Sequence, residues 1–332
     1  MKDADRQTRS HLMRLFEQQR RQPRHDLGQN FLIDLNLHEL IVRHAGLSTA
    51  DVVLEVGTGT GGLTSHLAHH AGHVISVEFD EHVFSHAQHH LAGRSNVTLI
   101  HGDALANKST IAPEVIAEIR RALIRVRKAE RIAFPGIDAD ATEADNPWVP
   151  QAAETTLKLV ANLPYNIATP LMSNLVASDL PWSRMVVTIQ LELAERMLAK
   201  PGTSDYSALT VWLQAQAELK LIRKLPPTVF WPPPKVDSAV LLLDRWQAGQ
   251  DKLADREFFQ QFLRQVFTQR RKQLSGVIRR DWLPHQSLSD LEALLAKHGL
   301  SKGCRVEQVD VATLVALTAS VQKLISAASA NP

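Results

Sequence analysis

Residues 51–62 read Asp-Val-Val-Leu-Glu-Val-Gly-Thr-Gly-Thr-Gly-Gly. A run dominated by Val and Leu, without the alternation of a one-sided strand, predicts a strand buried on both faces. The glycines after it let the backbone turn sharply and come close to a ligand. The helix expected over 62–70 would offer its N-terminal backbone donors at the same place. A strand, a Gly-rich turn and a helix together open a doubly wound α/β domain.

The chain on either side keeps that rhythm. Further strands are predicted at 73–78, 97–101, 157–161, 185–190, 219–224 and 239–244, with helices over 81–91 and 168–176. After Arg245 only helical patterns remain, over 256–269, 289–298 and 311–325. The expected organisation is an α/β domain over 25–245 and a smaller, all-helical domain over 246–332. A polar, basic and flexible arm is expected over 1–24. Residues 107–155 hold a basic helix-like stretch (Arg120 to Arg131) and an acidic, Ala-rich loop (Asp138 to Pro150), and read as an insertion between two sheet strands.

Composition excludes several classes. The 332 residues are 44% hydrophobic and 22% charged, an ordinary globular balance, and no apolar run reaches the roughly 20 residues of a membrane span. No signal-peptide core follows the first residues, so a soluble cytoplasmic protein is expected. The single cysteine, Cys304, rules out an intrachain disulfide framework and a multi-cysteine metal site. Net charge is only +2, but cations cluster in residues 1–25 and again at Arg264, Arg270, Arg271, Lys272, Arg279 and Arg280, which suits a polyanionic partner.

Three carboxylates mark the ends of the first strands. Glu55 lies just before the first glycine. Glu78 ends the next strand, where it can accept both hydroxyls of a ribose. Asp103 follows the third, where it can take the amino group of a bound adenine. A Gly-rich loop alone is shared with NAD-dependent dehydrogenases. The form Glu-Val-Gly-Thr-Gly-Thr-Gly and the third carboxylate resemble S-adenosylmethionine enzymes instead.

The strand expected at 157–161 leads into Asn162-Leu163-Pro164-Tyr165, similar to the (Asp/Asn)-Pro-Pro-Tyr signature of amino methyltransferases acting on nucleobases. The chemistry explains the residue types. An exocyclic amine delocalised into a base is a poor nucleophile, and acceptors for its two protons favour the attacking, pyramidal form. The Asn162 side-chain oxygen and the Leu163 carbonyl can supply both. Pro164 stiffens the turn, and Tyr165 can stack on the base.

Further motifs narrow the resemblance: Gly28-Gln-Asn-Phe-Leu32, Asn162-Leu-Pro-Tyr-Asn-Ile-Ala-Thr-Pro170, Gln190-Leu-Glu-Leu-Ala-Glu-Arg196, Phe230-Trp-Pro-Pro-Pro-Lys-Val-Asp-Ser-Ala-Val240 and Phe267-Thr-Gln-Arg-Arg-Lys272. Together they resemble the ribosomal RNA adenine N6,N6-dimethyltransferases. That resemblance implies a Rossmann-like class I methyltransferase domain followed by a helical RNA-binding domain. It implies S-adenosylmethionine as cofactor, with contacts at Asn30, Leu32, Gly57, Gly59, Glu78, Asp103 and Asn162. It implies dimethylation of two adjacent adenosines in small-subunit ribosomal RNA, within a pre-30S-type particle and by a monomer. Phe230 would stack on the extruded adenine opposite Tyr165, and Arg270, Arg271 and Lys272 would grip RNA. The alternatives are the related large-subunit, antibiotic-resistance enzymes and a non-catalytic ribosome assembly factor. The Leu of the tetrapeptide, Thr169-Pro170 and the long helical tail favour the small-subunit enzyme.

Other signals are set aside. His66/His70 and His82/His86/His90 have helical spacing, but no carboxylate or cysteine completes a metal site with them, and they read as solvated helix faces. Glu192 and Glu195 read as salt-bridging partners near Arg196, Cys304 as a packing residue and Trp231 as a packing anchor.

Overall fold

The computed structural model describes residues 8–18, 20–24, 27–133, 155–246, 253 and 255–330. The strands are β1 (Phe31–Leu32), β2 (Asp51–Val56), β3 (His73–Glu78), β4 (Val97–His101), β5 (Leu105–Asn107), β6 (Thr110–Ile111), β7 (Thr156–Asn162), β8 (Trp182–Gln190), β9 (Ala217–Leu225), β10 (Phe230–Trp231) and β11 (Ser238–Arg245). The helices are α1 (Arg9–Gln18), α2 (Leu35–Ala45), α3 (Gly62–Ala68), α4 (Glu81–His90), α5 (Pro113–Ala133), α6 (Ala168–Ala177), α7 (Leu191–Met197), α8 (Ala208–Gln214), α9 (Arg256–Thr268), α10 (Leu274–Asp281), α11 (Leu288–Lys297) and α12 (Val311–Ala330).

Seven strands form one sheet in the order β4-β3-β2-β7-β8-β11-β9. Every residue of β2 and β3 is buried, as their unbroken apolar runs require of central strands covered on both faces. β2 pairs in parallel with β3 on one side and β7 on the other. The chain therefore reverses its direction of travel across the sheet between β2 and β7. In open α/β sheets such a switch point opens a crevice at the carboxyl ends of the strands. Gly57 follows β2 there, and Asn162 ends β7. A Lys158–Asp51 ion pair of 2.9 Å, with both side chains largely buried, ties the start of β2 to β7, and the Thr156 hydroxyl donates to Asp51 at 2.9 Å.

Contacts divide the chain into two compact units, residues 1–191 with 221–243, and residues 192–220 with 244–332. This differs from the boundary that composition suggests near 245, because residues 192–220 find their partners in the C-terminal helices. The Tyr206 hydroxyl donates to the Val309 carbonyl at 2.8 Å, and the Trp212 ring lies 6.2 Å from that of Phe259 on α9.

Two further expectations need correction. Residues 9–18, expected in a flexible arm, form α1 with Leu12 and Phe16 buried. The helical part of the expected insertion, α5, buries Val115, Ile119, Ala122 and Val126 and packs on β2, β3 and β7. It is thus the ordinary helical layer over the sheet, basic only on its outer face. The acidic loop from Asp138 to Pro150 lies outside the described residues, as do residues 1–7.

Candidate active site

A cavity of about 230 Å³ opens at the switch point. Its walls come from four places: the 27–31 segment, the carboxyl ends of β2 and β3 with the segments that follow them, the 102–104 turn after β4, and the 162–167 turn. Asn30, Gly57, Gly59, Glu78, Asp103, Asn162, Leu163, Pro164 and Tyr165 all reach it, so residues up to 135 positions apart meet in one site.

The glycine loop is held from below. Gly57 donates to the Val77 carbonyl at 2.9 Å, with φ +86°, and a Cβ there would stand 3.2 Å from Pro164 Cδ. Glycine is required both by the backbone conformation and by the approach of the 162–165 turn. Glu55, 1% exposed, accepts from the Thr64 hydroxyl at 2.5 Å and from Ser76 at 2.6 Å on the same oxygen. Ser76 also bonds Thr58 at 2.6 Å. Burial pushes the Glu55 carboxyl up to about 8, against an ordinary value of 4.5. Glu55 is therefore a neutral brace under the loop at neutral pH rather than a charged ligand.

Glu78 faces the cavity. Its two oxygens each accept one backbone N–H at 2.9 Å, from Gly59 and from Asp80. Burial pushes its carboxyl above the ordinary range, and the two N–H donors oppose that shift. Each carboxylate oxygen can accept a second bond, so the pair remains able to take two vicinal hydroxyls. Asp103 uses one oxygen to accept from Leu105 N at 2.9 Å. Phe79, 54% exposed, and Val83 add an apolar surface next to Glu78, which the sequence reading missed. The signal was available, since a large aromatic directly after a strand-end carboxylate sits at the mouth of the crevice.

The 162–165 turn is fixed at each residue. Asn162 Nδ2 donates to the Asn30 carbonyl at 2.8 Å, which leaves Oδ1 as the acceptor of that amide. Leu163 N donates to the Thr188 carbonyl at 3.1 Å, and its side chain is 1% exposed, so its backbone is what meets the cavity. Ile167 N closes the turn onto the Pro164 carbonyl at 3.1 Å. The Tyr165 hydroxyl lies 2.7 Å from Ser238 Oγ, which holds the ring from its far end, and burial pushes the phenol up.

Three expected site residues stand elsewhere. Phe230 is 2% exposed and packs in the core with Leu32, Val160 and Val186, not along the cavity. Leu32 lies in the same core. Both are drawn in because β1 and β10 pair antiparallel, with Leu32 opposite Phe230 and Phe31 opposite Trp231. Of the two aromatic residues expected to stack on the base, only Tyr165 lines the cavity. Trp231 is a packing anchor against Phe16 and Phe31, as its context suggests. Arg270 is engaged within its own unit: Nε pairs with Glu307 at 2.7 Å, and NH1 donates to the Ser204 carbonyl at 2.9 Å. Arg271 and Lys272 are exposed. His66, expected on a solvated face, is buried 5.4 Å from the ring of His38, whose imidazole is pushed down to about 3 chiefly by burial. Among the described residues no group of three or more His, Cys, Asp or Glu is arranged to hold a metal ion, and no helix is long and apolar enough to cross a membrane.

Known proteins resemble this arrangement. The family model described as "Ribosomal RNA adenine dimethylase" matches residues 20–323. The "Ribosomal RNA small subunit methyltransferase A" of Moorella thermoacetica is 37% identical over 256 residues, covering 77% of this chain and 78% of that protein. That of Geobacillus thermodenitrificans is 33% identical over 301 residues, 90% of each. Among solved structures, a dimethyladenosine transferase from Plasmodium falciparum has a TM-score of 0.66 at 23% identity, over 88% of this chain and 98% of that one. The 23S rRNA methyltransferase ErmE has a TM-score of 0.58 at 23% identity, over 88% and 100%. At that identity the two structures speak to the fold, a class I methyltransferase domain with a helical C-terminal part.

Proposed function

The chain belongs to the ribosomal RNA adenine dimethylase family, and from that premise we infer that it transfers methyl groups from S-adenosylmethionine to N6 of adenosines in small-subunit ribosomal RNA. The observation that carries the reading is the Asn162 amide. Its nitrogen is committed to Asn30, so its oxygen is the group left to receive an amine proton in the cavity.

The residues present fit the cofactor. A buried carboxylate, Glu78, suits the ribose, Asp103 suits the adenine amino group, and Phe79 and Val83 suit the flat face of that base. The positive φ of Gly57 and Gly59 lets backbone, not side chain, form the floor. When bound, S-adenosylmethionine supplies an electrophilic methyl group on a sulfonium.

The protein's own work is positioning. The target adenine leaves its stack to enter the cavity. Tyr165 stacks on it, with its ring held by Ser238. Asn162 Oδ1 and the Leu163 carbonyl accept the two N6 protons and leave the nitrogen lone pair directed at the methyl group. The lone pair would form the new N–C bond as the methyl's bond to sulfur breaks, its electron pair staying with the departing S-adenosylhomocysteine, and one N6 proton would then pass to water. No strong general base is needed, and none lies in the turn. The monomethylated product retains one N6 proton, so one of the two acceptors can still hold the nitrogen for a second transfer.

Arg271 and Lys272 on the helical unit provide sequence-independent phosphate contacts, and Arg270 serves to hold that unit together. We place the protein in the cytoplasm, acting as a monomer on a pre-30S-type particle. The large-subunit alternative has in its favour only a likeness of fold, and an assembly factor without activity would not need the glycine loop and the 162–165 turn in one cavity. Incubation with labelled S-adenosylmethionine and unmethylated small or large subunits tests the reading. Label in N6,N6-dimethyladenosine of the small-subunit RNA supports it, and label confined to large-subunit RNA overturns it.

A further inference from the structure

Helix α1 precedes the stretch matched by the family model, which starts at residue 20. It nonetheless buries Leu12 and Phe16 in a small cluster with Phe31 and Val83. The Phe16 ring lies 5.5 Å from that of Phe31 and 5.4 Å from that of Trp231, and Phe31 and Trp231 stack at 6.3 Å. Phe31 and Val83 both line the cavity. The Phe31 ring also meets the glycine loop, because a Cβ at Gly59 would stand 3.3 Å from its Cδ1. A chain of contacts therefore runs from α1 through one aromatic ring to the loop that carries Gly59, whose N–H binds Glu78.

We infer that α1 is a positioning element for the cofactor, with Phe16 pressing Phe31 onto the Gly59 loop and so keeping the Glu78 side of the cavity in its binding shape. Phe16 touches neither reactant and acts through Phe31. The inference rests on the reading of the cavity as the S-adenosylmethionine site. Because coupling between two equilibria is reciprocal, a ligand that needs α1 docked must also hold α1 down.

The test uses the full chain and S-adenosylhomocysteine, the demethylated cofactor, as probe. Hydrogen exchange of the α1 amides is expected to slow on ligand binding, while that of α12 stays the same. In calorimetry, Phe16→Ala is expected to weaken binding by about three- to tenfold, the factor that loss of an aromatic contact produces. Phe16→Leu, which keeps bulk but not the ring contacts, should lose less than the alanine variant. In turnover the alanine variant should raise KM for S-adenosylmethionine and leave kcat near the wild-type value, whereas a merely destabilised protein would lose active fraction at constant KM. Unchanged α1 exchange in the wild type on ligand binding overturns the inference, and so does wild-type affinity in Phe16→Ala. Failure of the wild type to bind the probe at all would instead overturn the reading of the cavity.

Discussion

At the residue scale, two carboxylates of the same strand ends have different tasks because their surroundings differ. Glu78 meets the cavity and two backbone donors, while Glu55 meets only two hydroxyls under the loop. The sequence places both correctly beside the glycines, but burial and protonation depend on α3 and β3 closing over Glu55. An acid whose folded value is raised keeps its proton in the native state and loses it in the unfolded one. Its contribution to stability is whole below pH 4.5 and is lost as pH rises toward about 8. Replacing it by its neutral isostere should remove that dependence. Glu55→Gln is expected to flatten the fall in thermal stability between pH 5 and 8 by on the order of a few kcal/mol. It flattens rather than abolishes it, because Glu78 is raised as well. Thermal unfolding across that range checks this, and an identical slope in the variant would remove the neutral-brace role. Glu78→Ala, by contrast, should weaken S-adenosylmethionine binding by roughly 1.5–3 kcal/mol, the worth of a charge-assisted contact. A dissociation constant unaltered in calorimetry would take Glu78 out of the site.

At the scale of elements, the central strands were legible because burial on both faces leaves an unbroken apolar run, as in β2 and β3. Some short helices were not. α8 is seven residues long with a Ser207 cap, and α10 is eight residues long and contains a glycine, so each offers only about two turns of pattern. α1 was hidden among charges, its signal being the short apolar pattern Leu12, Leu15 and Phe16. α5 looked inserted because its outer-face arginines dominate its composition, while its buried apolar residues Val115, Ile119, Ala122 and Val126 repeat at helical spacing. The site was legible wherever a motif ends a strand and illegible where it depends on pairing between segments, as for Phe230, which β1 draws into the core. The close approach of the glycine loop to the 162–165 turn depends on Gly57. Gly57→Ala would hold a Cβ at φ +86° and 3.2 Å from Pro164. A cost of about 1–3 kcal/mol is expected for that strain, with weaker cofactor binding as the turn at 162–165 is displaced. Calorimetry and thermal unfolding of the variant measure both.

At the scale of the whole molecule, the sheet unit carries the chemistry and the helical unit carries the cations proposed for RNA. Membership of residues 192–220 in the helical unit was not legible, because it rests on contacts such as Tyr206–Val309 and Arg270–Ser204 that join distant segments. Three consecutive cations, equivalent in sequence, divide accordingly. Arg270→Ala should lower the stability of the helical unit by about 1–3 kcal/mol, since Glu307 keeps only the 4.0 Å contact with Arg305 and the Ser204 carbonyl loses its Arg270 donor. Arg271→Ala with Lys272→Ala should leave stability and cofactor affinity alone and reduce the slope of log affinity for RNA against log salt by up to about 0.9 per phosphate contact on duplex regions. An unchanged salt slope in the folded double variant would move the RNA surface elsewhere. The central claim spans both units: RNA is gripped through phosphates, and catalysis lies in the amide that Asn30 orients. Single-turnover methylation of unmethylated small subunits by wild type and Asn162→Ala, with N6,N6-dimethyladenosine counted, tests it most directly. The account predicts a loss on the order of 100-fold in rate, with affinity for the subunit retained, and a variant that methylates at close to the wild-type rate would contradict it.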